Sequence, residues 1–259
     1  MTPDAFAGWT LRRHAALDST SGEGLRLLAR GFPGRTVILA ERQTAGRGRG
    51  DRAWESVGSL GLWASLLLTV AVPWEQLAPS AIILGVAVRE AVGICCGIGL
   101  RTKWPNDLMA DARRKCCGLL AETGVVPDAA GAVPLVLGIG LNVNQLEKDF
   151  SPALAGKAVS LRMLSGREYD RLSLLAAILR RVDDWFARWT RDGFGPAREA
   201  WLADNDTLGR ELFLPEGYGA RRGTAFDLAP DGALLVRAET GETLRIDAGE
   251  IAFARVPKD

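Results

Sequence analysis

The chain contains one histidine, His14, among 259 residues. A histidine-built metal centre or a histidine-based catalytic triad needs that residue type in a partnered position, so both chemistries are nearly excluded. Four cysteines occur as two adjacent pairs, Cys95-Cys96 and Cys116-Cys117. Neither pair has the two-residue spacer of zinc or redox motifs, and they read as small apolar filler in a reducing compartment. An excess of charge of one sign is also missing. Thirty-two basic and 31 acidic residues leave +1, so no global field draws the chain to nucleic acid or to an anionic membrane. Any anion must be handled by a local cluster. No apolar run has the form of a membrane span: the apolar residues 81–100 carry Arg89 and Glu90 and read as a packed helix. The first 21 residues have no apolar core of signal-peptide length, and a cytoplasmic location is expected.

What the chain has in quantity is apolar residues, 47% of the total, enough for a sizeable core. The segment 36–40 reads as a buried strand and 60–70 as a long core strand. Helical spacing runs over 74–95, and strands are expected at 115–122 and 133–142, joined by a turn at 127–131. Residues 9–17 suit a short strand. Asp18-Ser19-Thr20-Ser21 reads as a turn and N-cap before a short helix, with a ligand-facing role for the hydroxyls as the alternative. Ser160 to Ser165 precedes an amphipathic helix whose apolar face (Leu175, Ile178, Val182, Trp185, Phe186, Trp189) should cover a sheet. From residue 206 short alternating segments and turn signals at Pro215-Glu216-Gly217, Pro230-Asp231-Gly232 and Thr240-Gly241 suit a small barrel. The fold expected is α+β, a mixed or antiparallel sheet covered by helices, with domains at 1–205 and 206–259.

Between the strands at 36–40 and 60–70 lies Gln43-Thr44-Ala45-Gly46-Arg47-Gly48-Arg49-Gly50-Asp51-Arg52-Ala53-Trp54. Glycine backbone and guanidinium forks can close around an anion, and the same composition also suits a solvated connection. As a dinucleotide fingerprint it is weak, because Asp51 stands where the third glycine belongs, and Gly138-Ile139-Gly140 fails likewise at Val143. Further on, Pro105 turns the chain and displays Lys103, Asn106 and Asp107 together. Lys115 and Asn142 stand at the start and end of two strands that would share one edge if antiparallel.

Taken together, Asp18-Ser19-Thr20, the arginine–glycine loop, Lys103-Trp104-Pro105-Asn106-Asp107, Lys115-x-x-Gly118-x-Leu120 and Gly138-x-Gly140-x-Asn142 resemble the biotin–protein ligases in order and spacing. The resemblance implies a C-terminal SH3-like barrel. It also implies ATP-dependent activation of biotin as biotinoyl-5′-AMP and transfer to a lysine of a biotin carboxyl carrier protein, that of acetyl-CoA or a related carboxylase. The implied catalytic residues are Lys103, Arg49 and Asp107. The implied biotin site is Ser19, Thr20, Ser21, Gln43, Arg47, Gly48, Arg49, Lys115, Gly118 and Leu120. The implied ATP site is Arg47, Trp54, Lys103, Asn106, Lys115 and Asn142. Mg²⁺ accompanies ATP, with no dedicated protein site. Ser21 departs from the asparagine common there, and Asp51 puts a carboxylate near the anion site. A chain opening at the catalytic region predicts a ligase without the repressor type's DNA-binding domain, acting as monomer or homodimer. The rivals are a lipoate or octanoate ligase, whose characteristic serine–triglycine stretch is absent, and a non-catalytic sensing module.

Overall fold

The computed structural model describes residues 4–31, 34–50, 52–56, 58–124, 131–214, 218, 221–247 and 252–253. Its first sheet is built from β1 (Asp4–Phe6), β2 (Trp9–His14), β3 (Thr36–Ala40), β4 (Leu62–Val70), β5 (Arg101–Lys103), β6 (Asp107–Met109), β7 (Lys115–Glu122) and β8 (Val133–Leu141). The spatial order is β1-β2-β3-β4-β8-β7-β6-β5. Among the described strands β2 and β3 pair in parallel and the other pairs of this sheet are antiparallel, so the sheet is mixed. Every residue of β3 is buried, as are eight of the nine in β4. A central strand covered on both faces reads as an unbroken apolar run rather than an alternating one.

Among the described residues the helices are α1 (Thr20–Ala29), α2 (Ser80–Cys96), α3 (Leu161–Ser165), α4 (Arg171–Asp192) and α5 (Gly195–Ala203). Helix α1 covers one face, where Leu27 and Leu28 meet Ile38, Leu67 and Val136. Helix α2 lies on the opposite face, within the larger core. One span differs from the sequence reading. The residues before Ser80 form only a single 3-10 turn, Trp74–Gln76. Pro73 and Pro79 account for this, since proline removes a donor and disfavours helical backbone just before it. The amphipathic helix α4 packs chiefly on α2, and it also meets the sheet at β4 and at β2, where Trp9 Nε1–H donates to Asp183 at 3.2 Å. It covers part of the sheet, as the sequence reading expects, while most of its packing is against α2.

The second sheet comprises β9 (Glu211–Phe213), β10 (Arg222–Leu228), β11 (Leu234–Ala238), β12 (Thr243–Ile246) and β13 (Ala252–Phe253), in the order β12-β11-β10-β9-β13, all antiparallel. Leu234, Val236 and Ala238 are buried at alternate positions. The turns at 229–233 and 238–242 close through backbone bonds. Residues 215–217 and most of the expected turn at 127–131 lie outside the described residues. Buried residues of this sheet, among them Leu212, Leu228 and Val236, belong to the same continuous core as the first sheet. Among the described residues, no helix is long and apolar enough to cross a membrane.

Candidate active site

The site begins with a defect in one face of the sheet. Alternate strand residues share a face, and on the α1 face β8 places Gly138 and Gly140. Cross-strand register extends these into two rows, Ser65–Gly138–Leu120 and Trp63–Gly140–Gly118–Asp107. Glycine at the centre of both rows leaves a trough where α1 begins. The indole of Trp54 lies in it. A Cβ at Gly140 would stand 2.5 Å from Trp54 Cε2, and one at Gly118 would stand 2.6 Å from Cζ3. No side chain fits under that ring.

The arginine–glycine loop folds over the trough as a small hairpin. Gly48 N–H donates to Arg52 O at 2.8 Å and Trp54 N–H to Gly46 O at 2.8 Å. Arg47 is turned to Glu122, donating at 2.7 and 3.1 Å.

At the start of α1, Ser19 caps the helix by accepting from Gly22 N–H at 3.2 Å. Behind it runs a chain of polar side chains. Thr20 N–H donates to Gln43 Oε1 at 2.7 Å, and Thr20 Oγ1 lies 3.1 Å from the same oxygen. Gln43 Nε2 donates to Ser56 Oγ at 2.7 Å. Ser65 Oγ is 2.8 Å from Thr20 Oγ1 and 3.0 Å from Ser21 Oγ. Thr20, Ser21, Ser56 and Ser65 are all buried. Each of these four hydroxyls thus has a partner, as burial requires.

The third wall is the hairpin β5–β6, whose closing pair is Lys103 and Asp107. Lys115 Nζ lies 2.6 Å from Asp107 Oδ1 and 5.0 Å from the Trp54 ring centroid. Burial lowers the Lys103 pKa from its ordinary value; Asp107 opposes that shift, while Lys115 adds to it. Two lysines held beside one carboxylate leave net positive charge to neutralise an anion.

The cavity so formed is lined by Ser19, Thr20, Ser21, Gln43, Arg47, Gly48, Arg49, Trp54, Lys103, Asn106, Asp107, Lys115, Gly118 and Leu120. These are the site residues named from the sequence, brought together from four separate stretches, with one exception. Asn142 stands apart. Its side-chain amide donates to Val159 O at 3.2 Å and its Oδ1 accepts from Gln145 at 3.4 Å. Lys115 and Asn142 do lie at one sheet edge, as the antiparallel pairing requires, but Asn142 ties the end of β8 to residue 159 rather than facing the cavity. Asn106 faces the cavity with its amide donating to Leu119 O at 2.5 Å. Sequence reasoning missed Ser56, Ser65 and Glu122. For Ser65 a signal existed: a hydroxyl inside an apolar strand must find a buried partner. For Glu122 no spacing pointed to it.

Comparison with known proteins agrees with this geometry. The Biotin/lipoate A/B protein ligase family matches residues 18–142, and the Biotin protein ligase C terminal domain matches 208–254. The Biotin--[acetyl-CoA-carboxylase] ligase of Paracoccus denitrificans is 31% identical over 248 residues, covering 92% of this chain and 98% of that protein. The Bifunctional ligase/repressor BirA of Bacillus subtilis is 31% identical over 234 residues, covering 90% of this chain and 71% of the relative. The Biotin protein ligase from Aquifex aeolicus in complex with biotin and ATP superposes with a TM-score of 0.78 at 28% identity, over 95% of this chain and 98% of that one. With its motifs gathered in one cavity and a relative matched over nearly its whole length, the chain belongs to the biotin protein ligases, a family of enzymes.

Proposed function

We propose that this chain joins biotin to a lysine of a biotin carboxyl carrier protein in two steps, with the cavity residues in the following roles. In the first step a biotin carboxylate oxygen attacks the α-phosphorus of ATP. The bond to the β-phosphate oxygen breaks and pyrophosphate leaves. Two anions must meet, so positive charge has to lie on both. Lys103, Lys115, Arg47 and Arg49 supply it from this chain. Mg²⁺ bound to the nucleotide's phosphates supplies further neutralisation. Among the described residues there is no cluster of three or more His, Cys, Asp or Glu that could hold a metal ion. In the second step the carrier lysine's amine attacks the acyl carbon, the bond to AMP breaks, and the nitrogen gives up a proton to solvent. Asp107 is the carboxylate placed to orient that amine.

The observation that carries the choice of biotin is the polarity of the relay at α1. Gln43 Oε1 accepts the Thr20 amide N–H, and a backbone N–H can only donate. The amide is therefore oriented with its oxygen toward Thr20, so the Thr20 hydroxyl must donate to it too. Ser65 then donates to Thr20, and Ser21 to Ser65. The cavity is left with spare lone pairs on Ser21 and a spare N–H on Gln43 Nε2. Acceptor and donor side by side match the N–H and C=O of a cyclic urea. A dithiolane ring has neither group and would leave these positions unpaired, which discriminates strongly in a buried site.

The catalytic domain spans 1–205 and the smaller domain 206–259 in this proposal, and the carrier is that of acetyl-CoA carboxylase or a close relative. The test is to incubate the purified protein with MgATP, a carrier domain, and either biotin or lipoate. Intact mass should increase by one biotinyl group on a lysine. No addition, or addition of lipoate in preference, overturns the reading.

A further inference from the structure

The turn that carries Lys103, Asn106 and Asp107 is not held by the first sheet alone. Trp104 lies at its centre and is buried. Both of its N–H groups leave the first sheet. The backbone N–H donates to Thr207 Oγ1 at 2.9 Å, and the indole Nε1–H donates to Gly232 O at 3.0 Å. Thr207 is fully buried and is itself fixed by Asn205 Oδ1, which accepts Thr207 N–H at 2.9 Å. Around it the chain leaving α5 runs beside β5: Thr102 N–H donates to Asp204 O at 3.3 Å and Asp206 N–H to Thr102 O at 2.7 Å.

Gly232 sits in a backbone turn of the second sheet, closed by Ala229 N–H to Ala233 O at 2.8 Å. Its φ of +89° is one that side-chain-bearing residues rarely adopt. A Cβ there would stand 3.1 Å from Ile82 Cδ1 and 3.2 Å from Pro79 Cβ. The turn is thus wedged between the start of α2 and the indole. The consequence concerns charge as well as shape, because Asp206 and Arg210, paired at 2.7 Å, lie close enough to Lys103 to shift it.

We infer that Thr207 and the Gly232 carbonyl are positioning groups for the biotin-activating reaction: through Trp104 they set where Lys103 stands relative to the reacting carboxylate and phosphate. Neither touches the cavity. Both act through the residue next to the lysine, so their loss displaces charge without removing it. The inference rests on the ligase reading above. It also separates two functions within one cavity. Recognition of the biotin ring belongs to the Thr20–Gln43 relay, which is anchored on α1 and β4 and whose hydrogen bonds run through Ser21, Ser56 and Ser65.

The experiment compares Thr207→Val, which keeps the shape and removes the hydroxyl, with Thr207→Ser, which keeps the hydroxyl. Three quantities are read: biotin-dependent ATP–pyrophosphate exchange, biotin affinity without nucleotide, and thermal midpoint. Thr207→Val should lower kcat for exchange about ten- to a hundredfold, the scale of misplacing a reacting group by a fraction of an ångström to one ångström. Biotin affinity should stay within about twofold, because ring recognition is held elsewhere. Thr207→Ser should recover most of the rate. Should Thr207→Val not fold, Thr207→Ala removes the same acceptor with less bulk and should give the same split. Exchange by the parent protein that is unchanged in these variants, or that falls in step with biotin affinity, overturns the positioning role. No exchange by the parent protein overturns the ligase reading and takes this inference with it.

Discussion

The backbone N–H of Thr20 donates to Oε1 of Gln43 at 2.7 Å, and that contact fixes the direction of every hydroxyl behind it. Because the amide oxygen faces Thr20, protons point from Ser21 to Ser65, from Ser65 to Thr20, and from Thr20 to Gln43. Ser65 is the middle link, fully buried on β4. Ser65→Ala removes a donor to Thr20 and an acceptor for Ser21, leaving two polar groups short of a partner. Each such loss costs roughly 1–3 kcal/mol, shared between stability and ligand affinity. Calorimetry should find biotin bound at least about fivefold more weakly, with nucleotide affinity unchanged. Equal binding by the variant would mean that the relay does not orient the ring-binding groups.

Gly140→Ala tests the trough. The new methyl carbon would stand 2.5 Å from the Trp54 ring, a distance that forces the indole out. Since Lys115 Nζ sits over the same ring, its position moves as well. The expected result is a fall of about 10² in exchange rate, the scale seen when one electrostatic contact in a site is lost. The thermal midpoint should shift by only a few degrees, because the trough opens to solvent. A fully active Gly140→Ala enzyme would show that Trp54 need not lie on that glycine.

How far the sequence announced this site depends on how local each signal was. Lys103, Asn106 and Asp107 cluster because a proline turn holds them within five residues, and that is visible in one line of text. The strands were legible because β3 and β4 are apolar along their whole length. Gly138 and Gly140 match only the first half of a nucleotide fingerprint, which fails at Val143. Their period of two, inside a strand, was the better clue, since it puts both on one face. Asn142 is the opposite case, with its side-chain partner far from any motif. It is at the expected sheet edge, but side-chain direction depends on the partner strand's neighbour, here Val159, which no motif names. Ser65 and Thr207 stayed hidden because their partners are 45 and 103 residues away in the chain. The helix start at Ser80 was missed because apolar spacing continues through Trp74 while two prolines interrupt the backbone.

Arg47 offers a prediction with an uncommon sign. Its guanidinium is bidentate on Glu122, and the two side chains are 42% and 20% exposed. A pair this open adds at most about 1 kcal/mol to stability, so Glu122→Gln should fold and melt almost as the parent does. What the substitution changes is competition. With the carboxylate gone, Arg47 is available to the anions that enter the cavity, and KM for ATP should fall severalfold at low salt. The gain should shrink as salt is raised toward 1 M, where charges are screened within about 3 Å. If KM rises instead, Glu122 holds Arg47 in its working position rather than competing for it.

Lys103 sets a pH dependence whose two parts have opposite sign. Burial lowers its pKa from the ordinary 10.5, so the folded protein gives up this proton more readily than the unfolded chain. Between the two values the unfolded state binds more protons, and stability therefore rises with pH across that window. The energetic cost of burying the charge is present in full below the folded value, declines across the window and is gone above the unfolded value. Activity should move the other way. The uncharged amine cannot neutralise the carboxylate–phosphate junction, so exchange should fall on an alkaline limb that begins below the pH at which an exposed lysine titrates. Lys103→Arg keeps a charge that does not titrate in proteins. It loses rate through altered geometry, yet its profile should stay flat where the parent's declines. An identical alkaline limb in both proteins would assign that limb to another group and remove Lys103 from the charge-bearing role.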